Sequence, residues 1–288
     1  MQKRASISLF VIAGLILLIS VSLIYYIESI TKERSVEEQS QIISGATETA
    51  EITKFVENCL SGFGKEAAYI IGSNGGYLSF SSNNPYQDPG NNAEFYEYYY
   101  VDNKRLPVLV NAQNTYQRSK EVIEQMISNY VTVNLPSCIN NLSLFKVQGF
   151  NISYPHIELG NPESKVEVII QPSVIRITLN WPLLVKRNNI ETDLTKFVAP
   201  VETRLGFLLS VADQLATDIS LDRPFNLFAN CNKYMNQDPL INLYVESNPY
   251  TYEYIIKVVD TLPLQSNEPP LKFEFAVRNR EILGECIG

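Results

Sequence analysis

The chain of 288 residues carries 31 acids, 23 bases and one histidine, for a net charge of −8, with 45% hydrophobic and 19% charged residues. That composition excludes wholesale disorder, and the length is enough for one large or two small domains with a sizeable core. The acid excess disfavours nucleic acid and anionic lipid as partners and reads first as a solubility device.

Residues 7–27 form an uncharged, mostly apolar run, preceded by Lys3 and Arg4 and closed by Tyr25 and Tyr26. As a helix this run would span about 31 Å, close to the ~30 Å hydrocarbon thickness of a bilayer. Basic residues favour the cytoplasmic side, and tyrosine rings favour the headgroup level. The pattern predicts a single-pass anchor with membrane lipid as its partner, a cytoplasmic N-terminus and an extracellular remainder. Without Lys3 and Arg4 that remainder carries about −10. The rival is a cleaved secretory peptide with Ser20-Val21-Ser22 as its site. Cutting there would leave Leu23-Ile24-Tyr25-Tyr26-Ile27 on the mature terminus, a poor product.

Residues 28–50 are polar and rich in helix formers, and read as a helical stalk. Ile52, Phe55, Val56, Cys59, Leu60 and Phe63 then recur at helical steps, with a stop expected at Gly72 and a turn at Asn74-Gly75-Gly76. A hairpin follows, with arms at 98–101 and 107–110 and Asp102-Asn103 in the turn. Tyr96, Tyr98, Tyr99 and Tyr100 crowd its first arm. They read either as an aromatic contact surface for glycan or protein or, by ordinary strand preference, as rings packing on both faces. The next helix has a stripe of Ile123, Met126, Ile127 and Tyr130 and is expected to end at Asn134-Leu135-Pro136.

Strand-like runs occupy 145–155, 165–172 and 174–187, and the short Gln171-Pro172-Ser173 link predicts an antiparallel hairpin. The strongest periodicity is Val201, Leu205, Leu208, Ala212, Leu215 and Ile219, a helix with Pro200 in its first turn. A short helix or loop after Asp222-Arg223-Pro224 carries Cys231, and strands are expected at 241–247, 252–260 and 271–279. The fold class is therefore α+β: an N-terminal transmembrane helix and stalk, then a mainly antiparallel sheet packed with two or three helices. The expected divisions are 1–27, 28–50, 51–140 as a helix/hairpin/helix subdomain and 141–288 as an antiparallel α+β domain, with 136–145 as the seam if there are two units.

The cysteines Cys59, Cys138, Cys231 and Cys286 are even in number and widely spaced. Outside the cytoplasm they read as two disulfides, with three pairings open. Cys59 with Cys138 and Cys231 with Cys286 is favoured, because each pair brackets part of one half. Four buried thiols are the alternative if the protein is not exported. Asn141 and Asn151 head glycosylation sequons, the second in an expected strand.

No catalytic constellation stands out. His156 lacks a nucleophile elbow, there is no phosphate-binding loop or metal motif, and no metal or cofactor is expected. Glu94, Glu97 and Asp102 lie near the tyrosines, which would suit a sugar site, but solvated loop and strand positions explain them better. Trp181, on an apolar strand, reads as core.

Lys3-Arg4-Ala5-Ser6 before the oily run resembles the class III signal of archaeal prepilins, which implies cleavage after Ala5 and a mature terminus at Ser6. Phe10 stands where bacterial pilins carry glutamate. With Cys59-Leu60, Gly72 and Gly75-Gly76-Tyr77, and Asn129-Tyr130-Val131 running to Cys138, the chain resembles the single-anchor, pilin-signal surface proteins of small-genome archaea. That resemblance implies an envelope location and no assigned activity. The expectation is a non-catalytic, membrane-anchored extracellular protein, as a surface component or a self-assembling, pilin-like adhesion subunit. The alternatives are a ligand-binding or sensory ectodomain working through a partner, since only six residues precede Ile7, and a glycan-active enzyme using Glu94 or Glu97.

Overall fold

The computed structural model describes residues 49–78, 98–101, 104–116, 118–158, 160–188, 190–222, 224–235, 240–248, 253–262 and 269–284. The expected anchor and most of the stalk, Ala5, Ser6, Glu94, Tyr96, Glu97, Asp102 and Cys286 lie outside these residues. No helix among the described residues is long and apolar enough to cross a membrane.

Helix α1 occupies 49–73 and buries Ile52, Val56, Cys59, Leu60, Ala67, Ala68 and Ile71, extending the expected stripe. It ends as the sequence predicts. Gly76 N–H bonds the Ile71 carbonyl at 2.9 Å and Gly75 N–H the Gly72 carbonyl at 3.3 Å, with Gly75 at φ +60°. This is a Schellman cap, and the left-handed position is one that glycine fills without a Cβ clash.

Two sheets flank α1. In the first, β6 (Val174–Arg187) pairs along its length with β7 (Ile190–Glu202), while β5 (Lys165–Ile170) and β4 (Asn151–Ser153) share its other edge in succession. The β5–β6 hairpin through Gln171-Pro172-Ser173 is antiparallel, as expected. β6 alternates cleanly, burying Ile175, Ile177, Leu179, Trp181, Leu183 and Val185. Exposed Pro182 sits at a register shift against β7, where a missing N–H is tolerated. In the second sheet the order is β1 (Tyr98–Val101), β2 (Lys104–Asn111), β11 (Lys272–Arg278), β10 (Glu253–Asp260), β9 (Ile241–Asn248), with β3 (Asn114–Thr115) also on β2. Only β2 and β11 run parallel there. A parallel two-stranded ribbon of β8 (Phe225–Asn226) and β12 (Ile282–Leu283) completes the strands.

The remaining helices are α2 (Lys120–Ile139), α3 (Ser143–Val147), α4 (Leu205–Leu221) and α5 (Leu227–Met235). The main hydrophobic core runs from Ile52 to Ile282 and joins both sheets to α1, α2 and α4. The fold is α+β and mainly antiparallel.

The first sheet's edges are closed by helices. On β5, Ser128 of α2 donates its hydroxyl to the Val166 carbonyl at 2.7 Å, and Glu124 accepts the Ile170 N–H at 2.8 Å. On β7, Glu57 of α1 accepts the Val198 N–H at 3.2 Å. Side chains thus satisfy ladder groups that would otherwise invite another strand. The Cys59–Cys138 disulfide, with Cα atoms 5.9 Å apart, ties α1 to the end of α2.

Three expectations need correction. Pro136 does not end α2; the helix runs one turn further because Leu135 and Ile139 continue its buried face and Cys138 meets Cys59. Pro136 itself is on the exposed side, and left-handed Asn140 makes the stop. Phe145 begins no strand: α3 carries it into the core, leaving β4 only three residues. Pro200 and Val201 belong to β7, with Val201 opposite Ile175 in the core, and α4 starts at Leu205. The rest of that stripe, Leu205, Leu208, Ala212, Leu215 and Ile219, is buried as expected.

Helix α1 reaches both sheets only because it is narrow where they touch it. A Cβ at Gly64 would overlap Ile177 Cδ1, and one at Gly72 would overlap the Lys272 backbone oxygen, whereas Gly62 faces open space. Gly72→Ala is therefore expected to destabilise the fold by about 1–3 kcal/mol, since backbone cannot yield as a side chain can. Gly62→Ala is expected to stabilise it by roughly 0.5–1 kcal/mol. Urea midpoints of both variants against the parent check the pair.

Candidate functional site

A partly enclosed polar site lies where the start of α2, the β5–β6 turn and the first half of α4 converge. Ser119 caps α2, its hydroxyl accepting the Val122 N–H at 3.4 Å. Backbone hydrogen bonding at the helix start, with help from the Ser119 hydroxyl, holds Glu121 below its ordinary carboxylate range. Arg118, one residue before the cap, lays its guanidinium over the Tyr77 ring at 4.1 Å. From the other side, Gly206 rests on the Gln171 carbonyl so closely that a Cβ there would overlap it. These approaches leave a cleft of about 260 Å³. Its apolar wall includes Ile123, Ile170 and Leu209, and its polar groups are Arg118, Lys120, Gln171, Ser210 and Asp213.

Asp213 is the chemically distinctive group. Burial pushes its carboxyl up to about 6, so near neutrality it exchanges a proton readily. It is the one carboxylate lining the cleft. Glycoside hydrolysis in its usual form needs two carboxylates flanking a bond, which this cleft does not bring together. At about 260 Å³ the cleft falls just below the usual ligand-pocket range of ~300–1,000 Å³, so it has room for a small molecule only.

A second, more open groove of about 780 Å³ runs between α1 and the edge of β7, with Thr53, Lys54, Glu57, Asn58 and Thr192 along it. Its carboxylate, Glu57, is already engaged on the Val198 N–H.

The sequence-marked residues are scattered. Cys59 and Cys138 are bonded to each other; Cys231, on α5, is disulfide-bonded, and its expected partner Cys286 lies outside the described residues. Tyr98, Tyr99 and Tyr100 stand on β1, with Tyr98 opposite Pro107 and Tyr99 opposite Leu106. The expected hairpin is present with a corrected register: its second arm begins at Lys104, not Pro107, so 98–101 pairs with 104–107 and only Pro107 of the expected arm faces it. The Tyr99 ring packs on Leu106, Val108, Ile255 and Ala276, a small cluster separate from the main core. Asn141 is exposed, and its side-chain oxygen accepts the Tyr154 hydroxyl at 3.4 Å; Asn151 is exposed on β4 opposite Lys186. His156 is exposed, its carbonyl taking bonds from Asn161 and Ser164. Trp181 is core, donating Nε1–H to the Pro155 carbonyl at 2.8 Å. Among the described residues no group of three His, Cys, Asp or Glu is placed to hold a metal ion.

Sequence reasoning missed the cleft. Its faint signal was an acid, Asp213, directly after a stripe residue, Ala212, in the apolar helix α4. No family model, no curated protein and no solved structure matches this chain.

Because the folded carboxyl of Asp213 titrates above its unfolded value, its contribution to stability is fully present below about pH 4 and is lost as pH rises through about 6. Asp213→Asn is expected to stabilise the protein at pH 7 and to be neutral near pH 4. Urea midpoints of variant and parent across that window check this, as does a carboxyl carbon titration with its midpoint near 6.

Proposed function

We propose that this chain is a non-catalytic cell-envelope protein, held in the membrane by residues 7–27 and displaying its α+β body outside the cell. The observation that carries this reading is the cysteine state. Cys59 and Cys138 are joined across 79 residues, Cys231 is also disulfide-bonded, and no free thiol occurs among the described cysteines. Disulfides of this kind persist in oxidising compartments and are rare in reducing ones. The topology read from Lys3, Arg4 and the apolar run supplies the same compartment independently.

The finer reading, a pilin-like subunit cleaved after Ala5, rests on the Lys3-Arg4-Ala5-Ser6 signal alone. A ligand-binding ectodomain is the second reading. It is favoured by the α2–α4 cleft, where Arg118, Lys120 and Asp213 converge over an apolar wall.

The test is alkaline extraction of native membranes, together with lysine labelling of intact cells by a membrane-impermeant reagent. The chain is expected to stay with the membrane, and Lys165 and Lys196, exposed on β5 and β7, to be labelled before lysis. Release into the alkaline supernatant, or labelling only after lysis, would overturn the reading.

A further inference from the structure

Helix α3 buries one apolar side chain and turns two others to solvent. Phe145 points inward, meeting Phe55 edge-on at 5.5 Å and Phe150 at 6.2 Å. Leu144 and Val147, three residues apart and so on one face, are 58% and 89% exposed. The chain adopts a costly conformation to present them. Asn140, Asn141 and Leu142 all lie in the left-handed region, at φ 45°, 54° and 53°. Asparagine tolerates this region, so Leu142 is the unusual member, and a bulky residue held there is a feature that clusters at functional sites. Buried Leu142 and Phe145 pin the turn from inside.

The setting says what could cover this face. Residues 125–157 contain no Asp or Glu, in a chain with 31 acids. The bases nearby are Lys146, over the Tyr154 ring, Arg187, over the Phe150 ring, and Lys186, on the strand beside β4. The nearest acids on the β6–β7 hairpin are Glu191, ion-paired with Lys186 at 2.8 Å, and Asp193. Glu51, exposed in the first turn of α1, is the further acid here, so the three bases meet three acids and this pole is close to neutral in a chain of net charge −8. It is also where the chain enters the fold: Phe55, which packs on α3, is in the second turn of α1. Residues 28–48 separate α1 from the apolar run and reach at most ~70 Å when extended, or ~30 Å as a helix.

We infer that the α3 face is a membrane-contact surface: Leu144 and Val147 enter the headgroup boundary of the bilayer that holds residues 7–27, with Lys146 and Arg187 at the phosphates. The inference rests on the anchored reading above. Two signals then hold the body, the span and a shallow apolar footprint, and the footprint fixes which end of the domain faces outward.

The test uses the full chain reconstituted in vesicles of phosphatidylcholine and phosphatidylglycerol carrying brominated acyl chains, which quench tryptophan on contact. Buried Trp181 supplies a low, constant background. Val147→Trp reports the α3 face, and Leu221→Trp, 74% exposed at the end of α4, reports a surface outside it. The added emission of Val147→Trp is expected to be quenched several-fold more than that of Leu221→Trp. Chain that floats with the vesicles but shows equal quenching in the two variants overturns the contact while leaving the anchor intact. Chain that does not float overturns both. A glycan on native Asn141, three residues before Leu144, would hold the face off the lipid and overturn the contact as well.

Discussion

The architecture depends on the closeness of α1 to two sheets at once. A helix with ordinary side chains at 64 and 72 would stand off from Ile177 of β6 and from the Lys272 carbonyl of β11. Glycine at both positions lets one helix serve as the shared wall of the main core. The other features of α1 follow from that placement. Its Glu57 lies within reach of the β7 edge, and its Cys59 faces the last turn of α2. In a disulfide closing so long a loop, chain entropy alone would account for stabilisation of roughly 4–5 kcal/mol, before any native strain is subtracted.

Charge fastens the other side of the core. Arg204, just before α4, meets Asp260 at the end of β10 at 2.7 Å, with the Asp260 side chain fully buried. Asp260 also accepts the Leu262 N–H, so the pair is embedded in further hydrogen bonds. Breaking such a pair by removing one partner is far costlier than its net contribution, because the remaining charge is left buried. Arg280 does similar work beyond β11, donating to the Ala112 carbonyl and to the Ser220 carbonyl near the end of α4. A cation suits that site, where helix carbonyls lack intrahelical partners. Tyr234 of α5 bonds Asp218 of α4 at 2.5 Å, and burial with that carboxylate holds its hydroxyl above the ordinary tyrosine range.

Much of this was legible in the sequence, and the failures are physical. The 98–101 hairpin, the Gln171-Pro172-Ser173 turn and the stop at Gly75-Gly76 were readable because turn chemistry is local. The α4 stripe was readable because one face of it is wholly buried. β7 was missed because the alternation of Ile190, Thr192 and Leu194 is only half-buried and breaks at Thr195-Lys196, and Phe197, Ala199 and Val201 run on into a helical stripe. Pro136 misled because a proline on the outer side of a helix forfeits one hydrogen bond, which a disulfide and two buried side chains outweigh. The cleft around Asp213 was illegible because its walls come from segments far apart in sequence and meet only in the fold.

The functional account joins an oxidised, cross-braced body to a membrane span that precedes it. Its most direct test is intact mass and N-terminal peptide analysis of the protein from native membranes, with and without reductant. The account predicts a terminus at Ser6 or at the initiating methionine, retention of residues 7–27, and a mass gain of one hydrogen per cysteine on reduction. A terminus near Leu23, or a mass that reductant leaves unchanged, would contradict it.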